Sequence, residues 1–188
     1  MASSLTPSQT IGPFFGFALP YEGSSRLVAP GDPAAVRIAG AVIDGAGQPV
    51  PDALLEIWQA NRVGRYAHPA DDRAHIPLED GFTGFGRCAT DDQGRFEFVT
   101  VKPGPVPGPG GRMQAPHIEV SVFARGLLNR LVTRIYFPDE KRANAADAVL
   151  SAIEDAALRG TLIARQEGED LRFDIHLQGD QETAFFAV

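Results

Sequence analysis

Cysteine is nearly absent from this chain: Cys88, in GRCATDD, is the one cysteine in 188 residues. A lone thiol forms no intrachain disulfide and rules out a thiolate-clustered metal site within one chain. Cys88 therefore reads as a small apolar packing residue. Excess positive charge is also missing. With 17 Lys and Arg against 24 Asp and Glu the formal net charge is -7, so there is no basic stripe to neutralise phosphates and nucleic acid is not an expected partner. Local arginines can still hold an anionic substrate in a cleft. No apolar run approaches the roughly 20 residues that cross a bilayer, so no membrane partner is expected. The start, MASSLTPSQTIGPFF, lacks a basic segment followed by an apolar core, and the expectation is a cytoplasmic chain without a secretory leader. Repeats and low-complexity tracts are missing too, which leaves one domain over residues 1–188.

Glycine and proline are plentiful, 20 and 15 residues. They cut the chain into short segments, which favours strands over long helices. VRIAGAVIDGAGQPVPDALLEIWQAN reads as strand, Gly-rich turn at Asp44 to Gly47, and strand, with Val36, Ile38 and Val42, then Leu54, Glu56 and Trp58, at period two. GRFEFVTVKPG sets Phe96, Phe98 and Thr100 against Glu97, Val99 and Val101. HIEVSVFARG, LVTRIYF, DLRFDIHLQG and TAFFAV continue the series. This pattern predicts an all-β chain, an antiparallel β-sandwich with long Pro/Gly-rich loops. EKRANAADAVLSAIEDAALRGTLIA departs from it: Ala145, Ala148, Val149, Ala152 and Ile153 fall near helical spacing and predict short helical segments. VKPGPVPGPGGRMQAP is a long loop, of a kind that often carries function.

Ferric iron is a hard ion that takes phenolate or carboxylate alongside imidazole. Tyr66 in GRYAHPADD, and His117 and Glu119 in APHIEV, are of those types. Residues two apart on a strand share a face, so His117 and Glu119 form half of such a site. Each also has a plain reading. Tyr66 suits a half-buried packing residue, and His117 a core or rim group. His68 and His75 flank an acidic loop and read as solvated, His176 as structural.

Six blocks in order, TPSQTIGPFF, LLEIWQAN, GRYAH, FGRCATDDQGRFEFVTVKPGP, APHIEVSVFARG and TRIYFPDE, resemble the intradiol ring-cleaving dioxygenases from Thr6 to Val188. In the two-chain members of that family the resemblance is to the α chain, and it implies Fe(III) bound by a homologous β chain through two tyrosines and two histidines. On this chain the ligand positions fall at Tyr66, Val106, His117 and Glu119, so one phenolate and one imidazole are replaced. An arginine of the catalytic chain becomes Gln114. The resemblance thus implies no metal held here, a remnant site, and a partner β chain in a larger αβ assembly that cleaves 3,4-dihydroxybenzoate with O2. Residues 1–35 are expected to form an arm on the partner chain, with Thr10, Gly12 and Pro13 walling the substrate pocket. Arg134 alternates with Val132, Ile135 and Tyr136 in a segment that reads as buried, and it needs an anionic partner. That partner is a protein carboxylate or the carboxylate of the substrate, and the resemblance favours the substrate. Two other readings stand beside this one: a self-sufficient metalloenzyme using Tyr66, His117 and Glu119, and a non-catalytic β-sandwich that binds proteins.

Overall fold

The computed structural model describes residue 12 and residues 14–187. Period-two apolar patterning produces two packed sheets, as the sequence predicts. In the first, β1 (Ala35–Ile43) pairs antiparallel with β4 (Arg95–Val101) along one edge. Its other edge takes β10 (Asp170–Arg172) and β11 (Ile175–His176), both parallel to it, and β9 (Arg165–Glu167) pairs antiparallel with β10. The second sheet is antiparallel throughout, in the order β3 (Phe85–Ala89), β2 (Leu54–Trp58), β7 (His117–Phe123), β8 (Leu131–Tyr136). A short ribbon joins β5 (Val106–Pro107) to β6 (Met113–Gln114).

Alternate residues of each strand meet between the sheets. Ile38 and Val42 of β1, Phe96 and Phe98 of β4, Leu55 and Ile57 of β2, and Ile118, Val120 and Val122 of β7 form one apolar core. Burying each such side chain contributes about 1.5 to 3 kcal/mol. The parallel pairings make the first sheet mixed, a refinement of the antiparallel expectation. They depend on a break between β10 and β11. There the Phe173 N–H donates to the Ala39 carbonyl at 2.9 Å, and Asp174 Oδ1 accepts the Ala41 N–H at 3.0 Å in place of a backbone carbonyl. Gly40 lies at this crossing, where a Cβ would fall 1.8 Å from the Phe173 oxygen, so only glycine admits the approach.

The segment with helical spacing forms α2 (Lys141–Ala146), α3 (Ala148–Ser151) and α4 (Ala156–Gly160), while α1 (Phe15–Ala18) precedes the first sheet. Two aspartates set the breaks. Asp147 accepts from the N–H groups of Val149 and Leu150, and Asp155 from those of Ala157 and Leu158, each capping the helix that follows. Within TAFFAV, Thr183 to Ala187 do not form a strand, contrary to the alternation. They follow the sheet only through single bonds, such as Phe186 N–H to the Val132 carbonyl at 2.8 Å. Among the described residues no helix is long and apolar enough to cross a membrane.

Candidate functional site

With Ile118, Val120 and Val122 committed to the core, His117, Glu119 and Ser121 project from the outer face of β7. Antiparallel register then fixes their neighbours: Trp58 of β2 lies opposite Glu119, Arg134 of β8 opposite it on the other side, and Tyr136 opposite His117. Two loops close over this end of the sheet. The side chain of Gln59 donates to the Val101 carbonyl at 2.9 Å and accepts from Thr100 at 2.7 Å, and the Asn61 carbonyl accepts the Gly104 N–H at 2.9 Å. Gly64, at φ +81°, lies so near the Pro105 carbonyl that a Cβ would fall 2.1 Å from its oxygen. These contacts hold the loop of Tyr66 against the loop of Val106. A cavity of about 430 Å³ remains, lined among others by Trp58, Tyr66, His68, Val106 and Pro107. The Trp58 and Tyr66 rings stack at 6.0 Å between centroids.

The fold therefore brings the predicted remnant positions into one neighbourhood. Tyr66 is fixed by its own loop, since its N–H donates to Asp71 Oδ2 at 2.9 Å and Asp71 is clasped by Arg73 through bonds of 2.8 and 2.6 Å. The Arg73 guanidinium holds the Asp71 carboxyl well below the usual carboxylate range. Burial raises the Tyr66 phenol above its ordinary value, and the Glu119 carboxylate adds to the rise. Val106, 4% exposed, brings methyl groups to this neighbourhood and no donor atom.

His117 is buried. Its Nδ1 lies 2.7 Å from the Ala115 carbonyl oxygen. A carbonyl only accepts, so Nδ1 carries the proton and Nε2 keeps its lone pair. Burial, and then the Arg134 guanidinium, push the imidazole below its ordinary value and keep it neutral. Nε2 lies 3.7 Å from Glu119 Oε1, beyond hydrogen-bond range. That same oxygen receives Arg134 Nη2 at 2.6 Å. Arg134 Nη1 donates to Gln114 Oε1 at 2.8 Å and to the Tyr136 hydroxyl at 3.2 Å, and the guanidinium carbon lies 5.8 Å from the centre of the Phe186 ring. The anionic partner that Arg134 required is, within this chain, the Glu119 carboxylate. The Gln114 side-chain oxygen accepts from the same guanidinium.

Two further groups escaped the sequence reading. Tyr136, named there only as a neighbour of Arg134, is fully buried and donates to Asp147 Oδ1 at 3.3 Å. Asp147 is itself fully buried, and its Oδ2 accepts the Ala115 N–H at 2.8 Å. It ties α3, the approach to β7 and the end of β8 together behind His117. An acidic residue directly before a short helical stretch, as in NAADAVL, is the signal of such a cap. Of the expected pocket wall, Gly12 has the left-handed φ of +80° that favours glycine. Thr10 and Pro13 lie outside the described residues.

The donor set does not fit Fe(III). Val106 offers nothing, the Glu119 carboxylate is neutralised by Arg134, and no group of three His, Cys, Asp or Glu able to hold a metal ion occurs among the described residues.

Comparison with known proteins agrees with the six-block resemblance. A family model described as dioxygenase matches residues 11–179. The protocatechuate 3,4-dioxygenase alpha chain of Pseudomonas putida is 43% identical over 96% of this chain and 95% of its own length, and that of Burkholderia cepacia 42% identical over 97% of each. The Burkholderia cepacia beta chain of the same enzyme is 40% identical over 88% of this chain and 74% of its own. Among solved structures, the dioxygenase domain of a dioxygenase and carbohydrate-binding fusion from Streptomyces sp. SirexAA-E superposes with a TM-score of 0.58 at 28% identity, covering 96% of this chain and all of that one. The two-sheet sandwich, the family model over residues 11–179 and relatives matched over nearly their whole length together place this chain in the intradiol dioxygenase family.

Proposed function

We propose that this chain is the α-type subunit of a protocatechuate 3,4-dioxygenase, working in the cytoplasm. It completes the substrate pocket and the assembly, and a homologous β chain binds the catalytic Fe(III). One observation carries the reading: similarity to α chains runs the length of the molecule, while Val106 offers no donor atom and the Glu119 carboxylate is held by Arg134 in a salt bridge. The bound iron of the partner supplies the oxidative chemistry that opens the ring of 3,4-dihydroxybenzoate between its hydroxyl-bearing carbons. This chain contributes shape and charge. In the proposal residues 1–35 form the arm that reaches the partner from a single domain over residues 1–188, with Thr10, Gly12 and Pro13 beside the substrate.

Arg134 as a contact for the substrate carboxylate is part of the same proposal, and its bond to Glu119 sets the terms. An incoming carboxylate has to share the guanidinium with Glu119, which its forked donors permit. Replacing Arg134 by Met in the αβ complex is then expected to raise KM for 3,4-dihydroxybenzoate about tenfold or more, from the loss of a charge-assisted hydrogen bond, and to spare catechol. Equal effects on both substrates would assign Arg134 to the fold alone.

The test of the whole reading is iron per chain and oxygen uptake, measured for the chain expressed alone and with a β partner. The chain alone is expected to hold no stoichiometric iron and to cleave no ring. Activity should appear only with equal amounts of two chains in one particle, joined by a permanent interface of roughly 2,000 Å² or more. Stoichiometric iron and ring cleavage in the chain alone would overturn the proposal.

A further inference from the structure

Glu119 and His117 stand two apart on β7 with their side chains on one face, and the proton of His117 is fixed on Nδ1 by the Ala115 carbonyl. Nε2 therefore presents a lone pair, and Glu119 Oε1 lies 3.7 Å from it. Two metal bonds of roughly 2.0 to 2.2 Å, meeting at a tetrahedral or somewhat wider angle, put their donor atoms about 3.4 to 3.8 Å apart. Imidazole and carboxylate thus already have the separation of a chelating pair, in the tautomer that metal binding requires. The Glu119 side chain is 30% exposed and that of His117 2%, so solution reaches the pair only from the Glu119 side, where water can complete a coordination shell. What stands at the shared oxygen is the Arg134 guanidinium, 2.6 Å away and steadied by Gln114 and the Tyr136 hydroxyl. Arginine does not give up its proton, so this charge is permanent.

We propose that Arg134 is a resident cation that closes this pocket to metal ions, and that His117 and Glu119 form a latent chelate for a borderline divalent ion such as Zn2+ or Co2+ once the guanidinium is removed. The inference rests on these residues and not on the assignment of the chain to an αβ enzyme. It also differs from the simple loss of ligands. In that view the site is empty because donors are missing; here two donors remain in place, and a fixed positive charge repels the ion that they would hold. At an effective dielectric near 20 a unit charge about 4 Å from a second one is worth several kcal/mol, ample to exclude an ion from a two-ligand site.

Cobalt is the probe, because its visible absorption reports coordination. Equilibrium dialysis of the full-length chain against Co2+, alone or with its partner, is read as the increment over wild type. Arg134→Gln, which keeps a polar side chain beside Glu119, is expected to gain about one Co2+ per chain with visible bands, at an affinity about tenfold or more above wild type. Added Co2+ should raise the Tm of this variant and leave that of wild type unmoved, since only the folded variant binds. His117→Asn in the Arg134→Gln background should abolish the gain. A second pair of variants separates the charge effect from any fault in folding. Glu119→His supplies two imidazoles with Arg134 still present, and is expected to bind Co2+ about tenfold or more weakly than the same change combined with Arg134→Gln. The proposal is overturned if wild type takes up Co2+ as well as Arg134→Gln does, if the folded Arg134→Gln protein gains none, or if the two Glu119→His proteins bind alike.

Discussion

Each sheet carries on its outer face an arginine in a cross-strand ion pair, with two carboxylates at Arg37 and one at Arg134, and the two arginines live in different surroundings. Arg37 of β1 reaches Glu97 of β4 at 2.7 Å and Asp170 of β10 at 2.6 Å, with a side chain 45% exposed. Arg134 of β8 reaches Glu119 of β7 at 2.6 Å with a side chain 16% exposed. The local chemistry is nearly the same. What differs is the cover: the outer face at Arg37 is open to water, while Gln114, Tyr136 and Phe186 all meet the Arg134 side chain. Screened charges contribute little, and shielded ones act as a unit in which the loss of one partner strands the other. A salt bridge becomes a determinant of function only where the fold shields it.

The largest change expected comes from dismantling that shield. Asp147→Ala removes the acceptor of the Ala115, Val149 and Leu150 N–H groups and of the Tyr136 hydroxyl. The loss should be about 3 to 5 kcal/mol, read as a fall in the urea midpoint, because buried donors lose their acceptor together. The Arg134 pair should then become as sensitive to salt as the Arg37 pair. Next in size is Arg134→Met, expected to cost about 1 to 3 kcal/mol, little changed between low and high salt. Adding Glu119→Gln should return much of that loss, and a double-mutant cycle showing no coupling would erase the contrast with Arg37.

Asp71→Asn in the Tyr66 loop is expected to cost about 1 to 2 kcal/mol at neutral pH, from the charge-assisted bonds of Arg73. Asp71 titrates lower in the folded chain than its ordinary 3.8. Its contribution is therefore present in full above that value and disappears as the pH falls toward the folded value, since the unfolded carboxylate takes up its proton first. Between neutral pH and strong acid the wild-type and Asn curves should converge, and parallel curves would refute the assignment. The smallest effect belongs to Arg37→Met, at most about 1 kcal/mol and declining with added salt. A larger or salt-independent loss there would make the two arginines equivalent after all.

Much of the architecture was legible in the chain. Period-two runs such as Phe96, Phe98 and Thr100, or Ile118, Val120 and Val122, have one way to bury their apolar sides, so two sheets follow from side-chain alternation itself. TAFFAV shows where that logic fails: alternation marks a face, and a strand needs in addition a free edge with matching hydrogen bonds, which Thr183 to Ala187 meet only singly. Tyr66, His117 and Glu119 could be picked out by residue type, and Val106 by its place in the KPGPVP block. Their proximity could not, because it depends on loops knit by Gln59, Asn61 and the glycine at position 64.

The sequence by itself determined the sandwich and the membership of an intradiol family. Each of these follows from which residue types are present and in what order along one chain. The tertiary structure alone decided what Arg134 meets. Its need for an anion was evident from an arginine set among apolar neighbours, but the choice of Glu119 is made by the register of β7 with β8, and the strength of the pairing by the side chains that shield it. Electrostatic energy depends on distance and on exclusion of water, and both are properties of the folded chain.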